Sequence, residues 1–174
     1  MNESTIDQDE VTKFSKLADQ WWNKDGEFRP LHQINPLRLS YIKDKIRAHF
    51  GDFKSDLTII DIGCGGGLIS VPLATLGAKV TGLDASAENI ETAKFHAKKL
   101  GLEINYLCSS AEEHKNQYDV VLCLEIIEHV SDPELFLAAV SKLLKPGGMM
   151  IVSTINRTAK AYLRAIIGAE YILR

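Results

Sequence analysis

Short apolar runs alternate with longer amphipathic segments along most of the chain. Short runs that are apolar throughout are typical of strands covered on both faces, and the longer segments carry apolar residues at helical spacing. This alternation predicts a parallel sheet with helices on both faces. The predicted strands are residues 57–62, 79–83, 104–107, 118–124 and 149–154, and the predicted helices between them are residues 68–76, 87–100 and 133–144.

The two ends of the chain differ from this alternating part. Residues 1–56 form a mostly helical N-terminal region, with helices predicted at 11–22 and 36–50. Residues 21–36 between them contain Gly26, Pro30 and Pro36 and are predicted to be an ordered loop, either a lid over the site or an anchor. Residues 57–174 form the α/β core of the same single domain, ending in a helix at 157–173. Open sheets usually continue, so we expect further strands beyond Arg174.

Composition narrows the class of protein. The chain has 174 residues, of which 45% are hydrophobic and 25% charged, as in one globular domain. A net charge of -3 offers no concentrated basic surface, which argues against nucleic acid as a partner. The three cysteines lack C-x-x-C spacing, and no secretory signal or membrane-spanning run is visible, so a cytoplasmic protein is expected.

The stretch D-I-G-C-G-G-G-L at residues 61–68 places four glycines directly after the first strand. Glycine permits unusual dihedral angles and lets a ligand approach bare backbone. The dinucleotide fingerprint needs a small residue where Leu68 stands, and Asp61 would repel a pyrophosphate, so a dehydrogenase is disfavoured. Asp84 ends the second strand, where an acid can bind ribose hydroxyls. Together these features resemble the S-adenosylmethionine fingerprint of class I methyltransferases; a tight turn without ligand is the alternative.

Two further clusters follow strand ends. After the third strand, S-A-E-E-H at residues 110–114 contains Ala111 and Glu112, which are candidates for contact with adenine in the fold that the fingerprint resembles; a solvated turn is the alternative. The fourth strand ends near Leu124, at the edge where open α/β sheets bind ligands.

Glu125, Glu128 and His129 come next and share one face if the chain is helical there. They suit a divalent-metal site or an acid–base pair, and a structural histidine beside solvated carboxylates is equally compatible with the spacing.

Four segments together resemble one family, the ubiquinone-biosynthesis O-methyltransferases. They are W-W-N-K-D-G-E-F-R-P-L-H-Q-I-N-P-L-R at 21–38, D-I-G-C-G-G-G at 61–67, C-L-E-I-I-E-H-V at 123–130 and N-R-T-A-K-A-Y-L-R-A-I-I-G-A-E-Y-I-L-R at 156–174. The glycine segment marks only the superfamily, whereas L-H-Q-I-N-P-L-R and G-A-E-Y-I-L-R are specific. The resemblance implies a Rossmann-like doubly wound parallel sheet, the class I methyltransferase fold.

The resemblance also implies S-adenosylmethionine as cofactor and a set of residues that bind it. Arg38 would reach the methionine carboxylate as a bidentate partner. The other implied cofactor residues are Gly63 and Gly65 in the glycine turn, Asp84 at the ribose, Ala111 near the adenine and Leu124 beside the methyl donor. Glu125, Glu128 and His129 match the family positions thought to hold magnesium and to act in catalysis.

Family members methylate one hydroxyl of a polyprenylated catechol or hydroquinone at two steps of the pathway. A metal ion on the Glu125 cluster would lower the phenol pKa; without metal, His129 would take the proton directly. The metal is favoured, because two acids would otherwise keep His129 protonated. The alternatives are a related methyltransferase for another small phenol or acid, and a non-catalytic nucleoside-binding scaffold of a lipid-biosynthesis complex.

The expected substrate carries a hydrophobic polyprenyl tail, which makes contact of the protein with a membrane relevant. Residues 157–174 place Lys160 and Arg164 among apolar side chains, which suits a helix in the interface of the inner membrane. A helix packed on the sheet has the same pattern. Membrane lipid and a ubiquinone-biosynthesis complex are therefore the expected peripheral partners.

Overall fold

A computed structural model describes residues 4–154 of the chain. Five parallel strands form one sheet in the order β3-β2-β1-β4-β5, with every neighbouring pair parallel. The strands are β1 (Thr58–Ile62), β2 (Lys79–Asp84), β3 (Asn105–Cys108), β4 (Tyr118–Leu124) and β5 (Leu144–Ser153). The chain moves outward from β1 to β3 and then returns to the other side of β1, so the predicted doubly wound α/β fold is confirmed.

Five helices accompany the sheet in the described part of the chain. They are α1 (Gln8–Ser15), α2 (Arg29–Phe50), α3 (Ser70–Thr75), α4 (Ala87–Lys99) and α5 (Pro133–Ser141), with single 3₁₀ turns at Ala18–Gln20 and Ile127–His129. The Ser86 hydroxyl accepts the Asn89 N–H at the start of α4, and the Asp132 carboxylate accepts the Leu135 N–H at the start of α5. These caps fix where the two helices leave the carboxyl edge of the sheet.

Two predictions for the N-terminal region are wrong in their bounds. The first helix ends at Ser15 and only a 3₁₀ turn follows it. The second half of the predicted loop at 21–36 is helical, because α2 already begins at Arg29. Pro30 lies in its first turn, where no backbone donor is needed, and Pro36 removes a single hydrogen bond from the helix interior.

The last strand also begins earlier than predicted. Tyr118 pairs with Leu144, whereas Val120 pairs with Met149, so the register shifts around residues 145–148. The K-P-G-G sequence there forms an irregularity inside β5 instead of a turn before it. The helix predicted at 157–173 lies outside the described residues.

Alternating side chains of the strands supply two cores, one on each face of the sheet. Ile59 of β1 packs with Ile42 and Ile46 of α2 in one cluster. Ile60, its neighbour in the chain, packs with Phe136 of α5 in the other. Each fully buried side chain of this size stabilises the fold by about 1.5–3 kcal/mol. The carboxyl edge of the sheet is therefore held rigidly between two packed layers.

The N-terminal region belongs to the same packed body, since α2 contributes to a core cluster of the sheet. Within residues 4–154, none of the helices combines the length and the apolar character needed to cross a bilayer.

Candidate active site

A cavity of about 330 Å³ opens at the carboxyl ends of β1, β2 and β4. This is the point at which the strand order reverses, where open α/β sheets bind ligands. The sheet edge forms one wall and the N-terminal region, including Phe14 and Phe28, forms the other. The predicted cofactor residues that line it are Arg38, Gly63, Asp84, Ala111 and Leu124.

The glycine turn follows β1 and forms the floor of this cavity. Gly63, Gly65 and Gly67 have φ values of +71°, +50° and +85°, which side-chain-bearing residues rarely adopt. The N–H groups of Gly63 and Cys64 both donate to the Leu83 carbonyl, at 2.8 and 3.0 Å. A Cβ on Gly63 would lie 2.8 Å from the Ile126 side chain. The turn therefore has its shape only because glycine occupies it.

Asp84 is fixed beside the turn by three donors. Its Oδ2 accepts the Gly65 N–H at 2.9 Å, while Oδ1 accepts the Ser86 N–H at 2.9 Å and the Asn89 amide at 3.2 Å. Burial raises the pKa of Asp84, and these hydrogen bonds oppose that rise. A carboxylate has about four acceptor positions, so this one still has capacity for a ligand hydroxyl, mainly on Oδ2.

Asp61 lies at the end of β1 and lines the same cavity. Its carboxylate is 3% exposed and accepts the Ser70 hydroxyl at 2.6 Å. Burial raises the pKa of Asp61 to about 6, and the charge of Asp84 adds to this effect. Two neighbouring carboxylates favour a cationic ligand over a pyrophosphate at this end of the cavity.

Both tryptophans attach the N-terminal region to the glycine turn. Trp21 stacks on Phe28 with ring centroids 3.8 Å apart, and its Nε1–H donates to Asn89 at 2.8 Å. Trp22 donates through Nε1–H to the Gly66 carbonyl at 2.8 Å. A Cβ on Gly65 would collide with the Trp21 ring. Trp21 thus lines the cavity and anchors the N-terminal region.

The first described residues lie across the cavity mouth, a feature that sequence reasoning missed. Thr5 is 2% exposed and its hydroxyl donates to Glu112 at 2.5 Å. Ile6 forms an antiparallel bridge with Val130, and Ser131 N–H donates to the Thr5 carbonyl at 3.0 Å. Glu112, a predicted adenine contact, therefore uses Oε1 to hold this segment. Nothing in the polar N-terminal sequence indicated it.

His129 lies in the cavity wall under α1. Its Nδ1 is 2.6 Å from the Glu10 carboxylate, and its ring meets the edge of Phe14 with centroids 5.0 Å apart. Glu10 was not identified from the sequence, because it lies more than one hundred residues away and belongs to no motif. The contact fixes the orientation of the imidazole and leaves Nε2 available.

Arg38 and Glu125 form an ion pair, with Nη2 and Oε1 2.6 Å apart and side chains 14% and 16% exposed. The Ser153 hydroxyl donates to the same Oε1 at 2.8 Å, and the Glu125 N–H donates to the Ser153 carbonyl at 2.8 Å. Glu125 has a φ of +55°. Its Oε2 is buried and has no hydrogen-bond partner within residues 4–154.

The structure does not bring the predicted metal ligands together. Glu125 faces Arg38, Glu128 accepts the Thr154 hydroxyl at 2.8 Å, and His129 contacts Glu10. Across residues 4–154, no three His, Cys, Asp or Glu side chains form a group that could hold a metal ion. The prediction assumed a continuous helical turn, but Glu125 precedes the 3₁₀ turn in a left-handed conformation. These residues do not fit a divalent cation as they stand.

The sequence of this chain is similar to the sequences of known methyltransferases. A family model described as a methyltransferase domain matches residues 60–152, more than half of the chain. The ubiquinone biosynthesis O-methyltransferase of Brucella anthropi is 53% identical over 180 residues, which cover 98% of this chain and 73% of that protein. The protein of the same name from Rickettsia akari is 55% identical over 172 residues, covering 98% and 68%.

A solved structure shows the same fold at low sequence identity. Magnesium protoporphyrin IX methyltransferase from Synechocystis PCC 6803, crystallised with SAH, has a TM-score of 0.75 and is 20% identical, with 95% of this chain and 80% of that chain covered. The methyltransferase match removes the dehydrogenase alternative. The chain therefore belongs to the ubiquinone biosynthesis O-methyltransferase family.

Proposed function

We propose that this chain transfers a methyl group from S-adenosylmethionine to a phenolic hydroxyl of polyprenylated ubiquinone precursors, at both O-methylation steps of the pathway. The observation that carries this proposal is the cavity at the carboxyl edge of the sheet, which joins the glycine turn, Asp84 and His129 in one space. The names of the relatives support the substrate class.

The methyl donor is S-adenosylmethionine, since structures of the same fold were solved with it or with SAH. The residues present fit this cofactor. The turn at Gly63 offers backbone where a Cβ would meet Ile126. Asp84 would accept a ribose hydroxyl, Ala111 would pack at the adenine, and Leu124 would lie beside the reacting methyl group. The bound cofactor supplies an electrophilic methyl on a cationic sulfur, which suits the acidic end of the cavity.

The acceptor hydroxyl must lose its proton, because a phenol has a pKa of about 10. We assign this step to His129. With Nδ1–H directed at Glu10, the imidazole keeps its lone pair on Nε2, which can accept the phenol proton. The carboxylate of Glu10 supplies negative charge beside the imidazolium that forms. The oxygen–methyl bond forms as the sulfur–methyl bond breaks, and alignment of the reactants provides much of the acceleration.

The test of this assignment is His129→Asn. An asparagine amide can still donate to Glu10 from the position of Nδ1, but it offers no proton acceptor at Nε2. We expect kcat to fall roughly 10²–10⁴-fold while affinity for S-adenosylhomocysteine is nearly unchanged. The assay follows the methylated product of a short-chain prenyl catechol by mass spectrometry.

His49→Asn is the matched control, because His49 is exposed and contacts the Gly147 carbonyl and the Phe50 ring outside the cavity. Parental turnover in His129→Asn would overturn the assignment of the base. Loss of activity in EDTA that magnesium restores would show that a metal ion acts after all.

We also infer that the enzyme meets its substrate at the inner face of a membrane. A polyprenyl tail partitions into hydrocarbon, so the reacting ring is presented at the lipid surface. The segment predicted to contact lipid, residues 157–174, lies outside the described residues. Co-sedimentation with anionic liposomes, compared between the parent chain and a Lys160→Glu/Arg164→Glu variant, tests this; equal binding by both would contradict it.

A further inference from the structure

Glu125 combines an unfavourable backbone conformation with a buried carboxylate oxygen that has no hydrogen-bond partner among the described residues. Its φ of +55° lies in the left-handed region, which is unfavourable for a residue with a Cβ. The hydrogen bonds with Ser153, one through the backbone and one through the side chain, hold it in that conformation. Strained residues of this kind concentrate at ligand sites.

The two oxygens of the Glu125 carboxylate have different surroundings. Oε1 accepts both Arg38 and the Ser153 hydroxyl, so it is fully used. Glu125 lines the cavity, and its Oε2 is buried with no hydrogen-bond partner in the described range 4–154. A buried charged oxygen without a donor is costly, and native proteins leave few of them. The position therefore suits a donor that arrives with a ligand.

The described residues of the cavity wall include no second cation that contacts Oε2 of Glu125. Among the described residues that line the cavity, the side chains able to carry positive charge are Arg38 and His129. Arg38 already contacts Oε1, and His129 contacts Glu10. Among residues 4–154, no lining side chain therefore supplies the missing donor, and a bound ligand can supply it.

We propose that Oε2 of Glu125 accepts a hydrogen bond from the α-ammonium group of the cofactor. Arg38 and Glu125 then recognise the amino-acid end as a zwitterion, with the guanidinium on the carboxylate and the carboxylate on the ammonium. The inference rests on the proposed function, in which this cavity holds S-adenosylmethionine.

The geometry of the pair supports a zwitterion over a simple cation. Opposite charges 2.6 Å apart complement the adjacent, oppositely charged groups of an α-amino acid. Arg38 has five N–H donors, of which one reaches Glu125 and another contacts Asn35 at 3.4 Å, so others remain for a ligand carboxylate. Glu125 is thus a cofactor-binding residue in place of the metal ligand that its spacing predicted.

Asp84 and the Arg38–Glu125 pair then recognise different parts of the cofactor, at two ends of the cavity. Asp84 contacts a ribose, which every adenine nucleoside carries, whereas Arg38 and Glu125 contact groups that only the amino-acid portion provides. The enzyme should therefore discriminate strongly against nucleosides that lack the ammonium group.

The experiment is a calorimetric cycle with two ligands and two proteins. The ligands are S-adenosylhomocysteine and its des-amino analogue, in which hydrogen replaces the α-ammonium group; the proteins are the parent chain and Glu125→Gln. We expect the substitution to weaken S-adenosylhomocysteine binding about 10-fold or more and to change binding of the analogue less than about 2-fold. The parent chain should prefer S-adenosylhomocysteine to the analogue by a similar factor.

Glu134→Gln is the matched control, because it removes one carboxylate charge from an exposed position on α5 outside the cavity. Equal losses for both ligands in Glu125→Gln would overturn the inference, since Glu125 would then only orient Arg38. If that variant does not fold, the parent chain decides, because equal affinity for both ligands refutes an ammonium contact. Absence of S-adenosylhomocysteine binding by the parent would instead remove the cofactor proposal and this inference together.

Discussion

Asp61 is a cavity residue whose ionisation depends on burial. The chain places a carboxyl group between the sheet and α3, where the Ser70 hydroxyl donates to its side chain at 2.6 Å. Burial raises its pKa from 3.8 to about 6, with a contribution from Asp84. Because the folded pKa lies above the unfolded value, the folded state binds this proton more tightly. The contribution of Asp61 to stability is therefore most favourable at acidic pH and is lost as pH rises through about 4 to 6.

Replacing Asp61 with asparagine should therefore change how the stability of the protein depends on pH. The amide can still accept the Ser70 hydroxyl but cannot ionise, so the variant should gain stability relative to the parent as pH rises. We expect the difference in free energy of unfolding to shift by roughly 2–2.5 kcal/mol in favour of the variant between pH 4 and pH 7. Urea denaturation at several pH values measures it.

Asp56→Asn provides the comparison for Asp61, because Asp56 is exposed just before β1. A parent-to-variant difference that is independent of pH for Asp61→Asn would show that burial does not raise this pKa.

Individual residues were predictable where a local motif carried them. Gly63, Asp84, Ala111 and Leu124 follow strand ends, and parallel strands bring those ends to one edge of the sheet. Thr5 was not found, because its partner Glu112 is distant in sequence and no pattern links the two.

The shared metal site predicted for the E-I-I-E-H cluster does not match the structure, for a different reason. The i, i+3, i+4 spacing assumes a helix, whereas Glu125 adopts positive φ before a short 3₁₀ turn. The spacing of residues in the sequence does not indicate that backbone geometry.

At the scale of structural elements, the glycine turn shapes the floor of the cavity. Gly65 has a φ of +50°, and a Cβ there would meet Trp21, which is held by Phe28 and Asn89. We expect Gly65→Ala to destabilise the protein by roughly 2–4 kcal/mol, the sum of backbone strain and overpacking, and to weaken binding of S-adenosylhomocysteine. Thermal and urea denaturation measure the first effect and calorimetry the second.

Gly101→Ala separates strain from contact. Gly101 has a φ of +68°, but a Cβ at this position would have no atom within 4 Å. The substitution should therefore destabilise the protein by only about 1 kcal/mol and leave cofactor binding intact. Equal effects at the two glycines would show that Trp21 does not pack closely over the turn.

The elements of the sheet were easier to predict than those before it. Strands buried on both faces have an unmistakable apolar character, and caps such as Ser86 mark helix starts. The start of α2 was misplaced because Pro30 and Pro36 indicate a loop in isolation, although a first-turn proline is compatible with a helix. Contact of Trp21 with the turn determines how this region packs.

The molecule as a whole builds its site from two distant parts of the sequence. The sheet supplies the nucleoside end through the turn and Asp84, and the N-terminal region supplies Arg38 and the segment from Thr5 to Phe14 that lies over the cavity. The sequence predicted the fold, and it predicted residues that line the cavity from the sheet, such as Asp84, together with Arg38 from the N-terminal region. The covering half depends on tertiary contacts such as Glu10 with His129, which no local pattern records.

Methyl transfer and recognition of the ammonium group in this cavity both require that it bind the adenosyl cofactor through Asp84. The decisive measurement is calorimetric titration of the 174-residue chain with S-adenosylhomocysteine, beside Asp84→Ala and the exposed control Asp52→Ala. We expect a Kd of about 10 μM or tighter for the parent and the control, and at least about 10-fold weaker binding for Asp84→Ala with the fold retained. No binding by the parent, or equal binding by Asp84→Ala, would contradict the assignment of this cavity as the cofactor site.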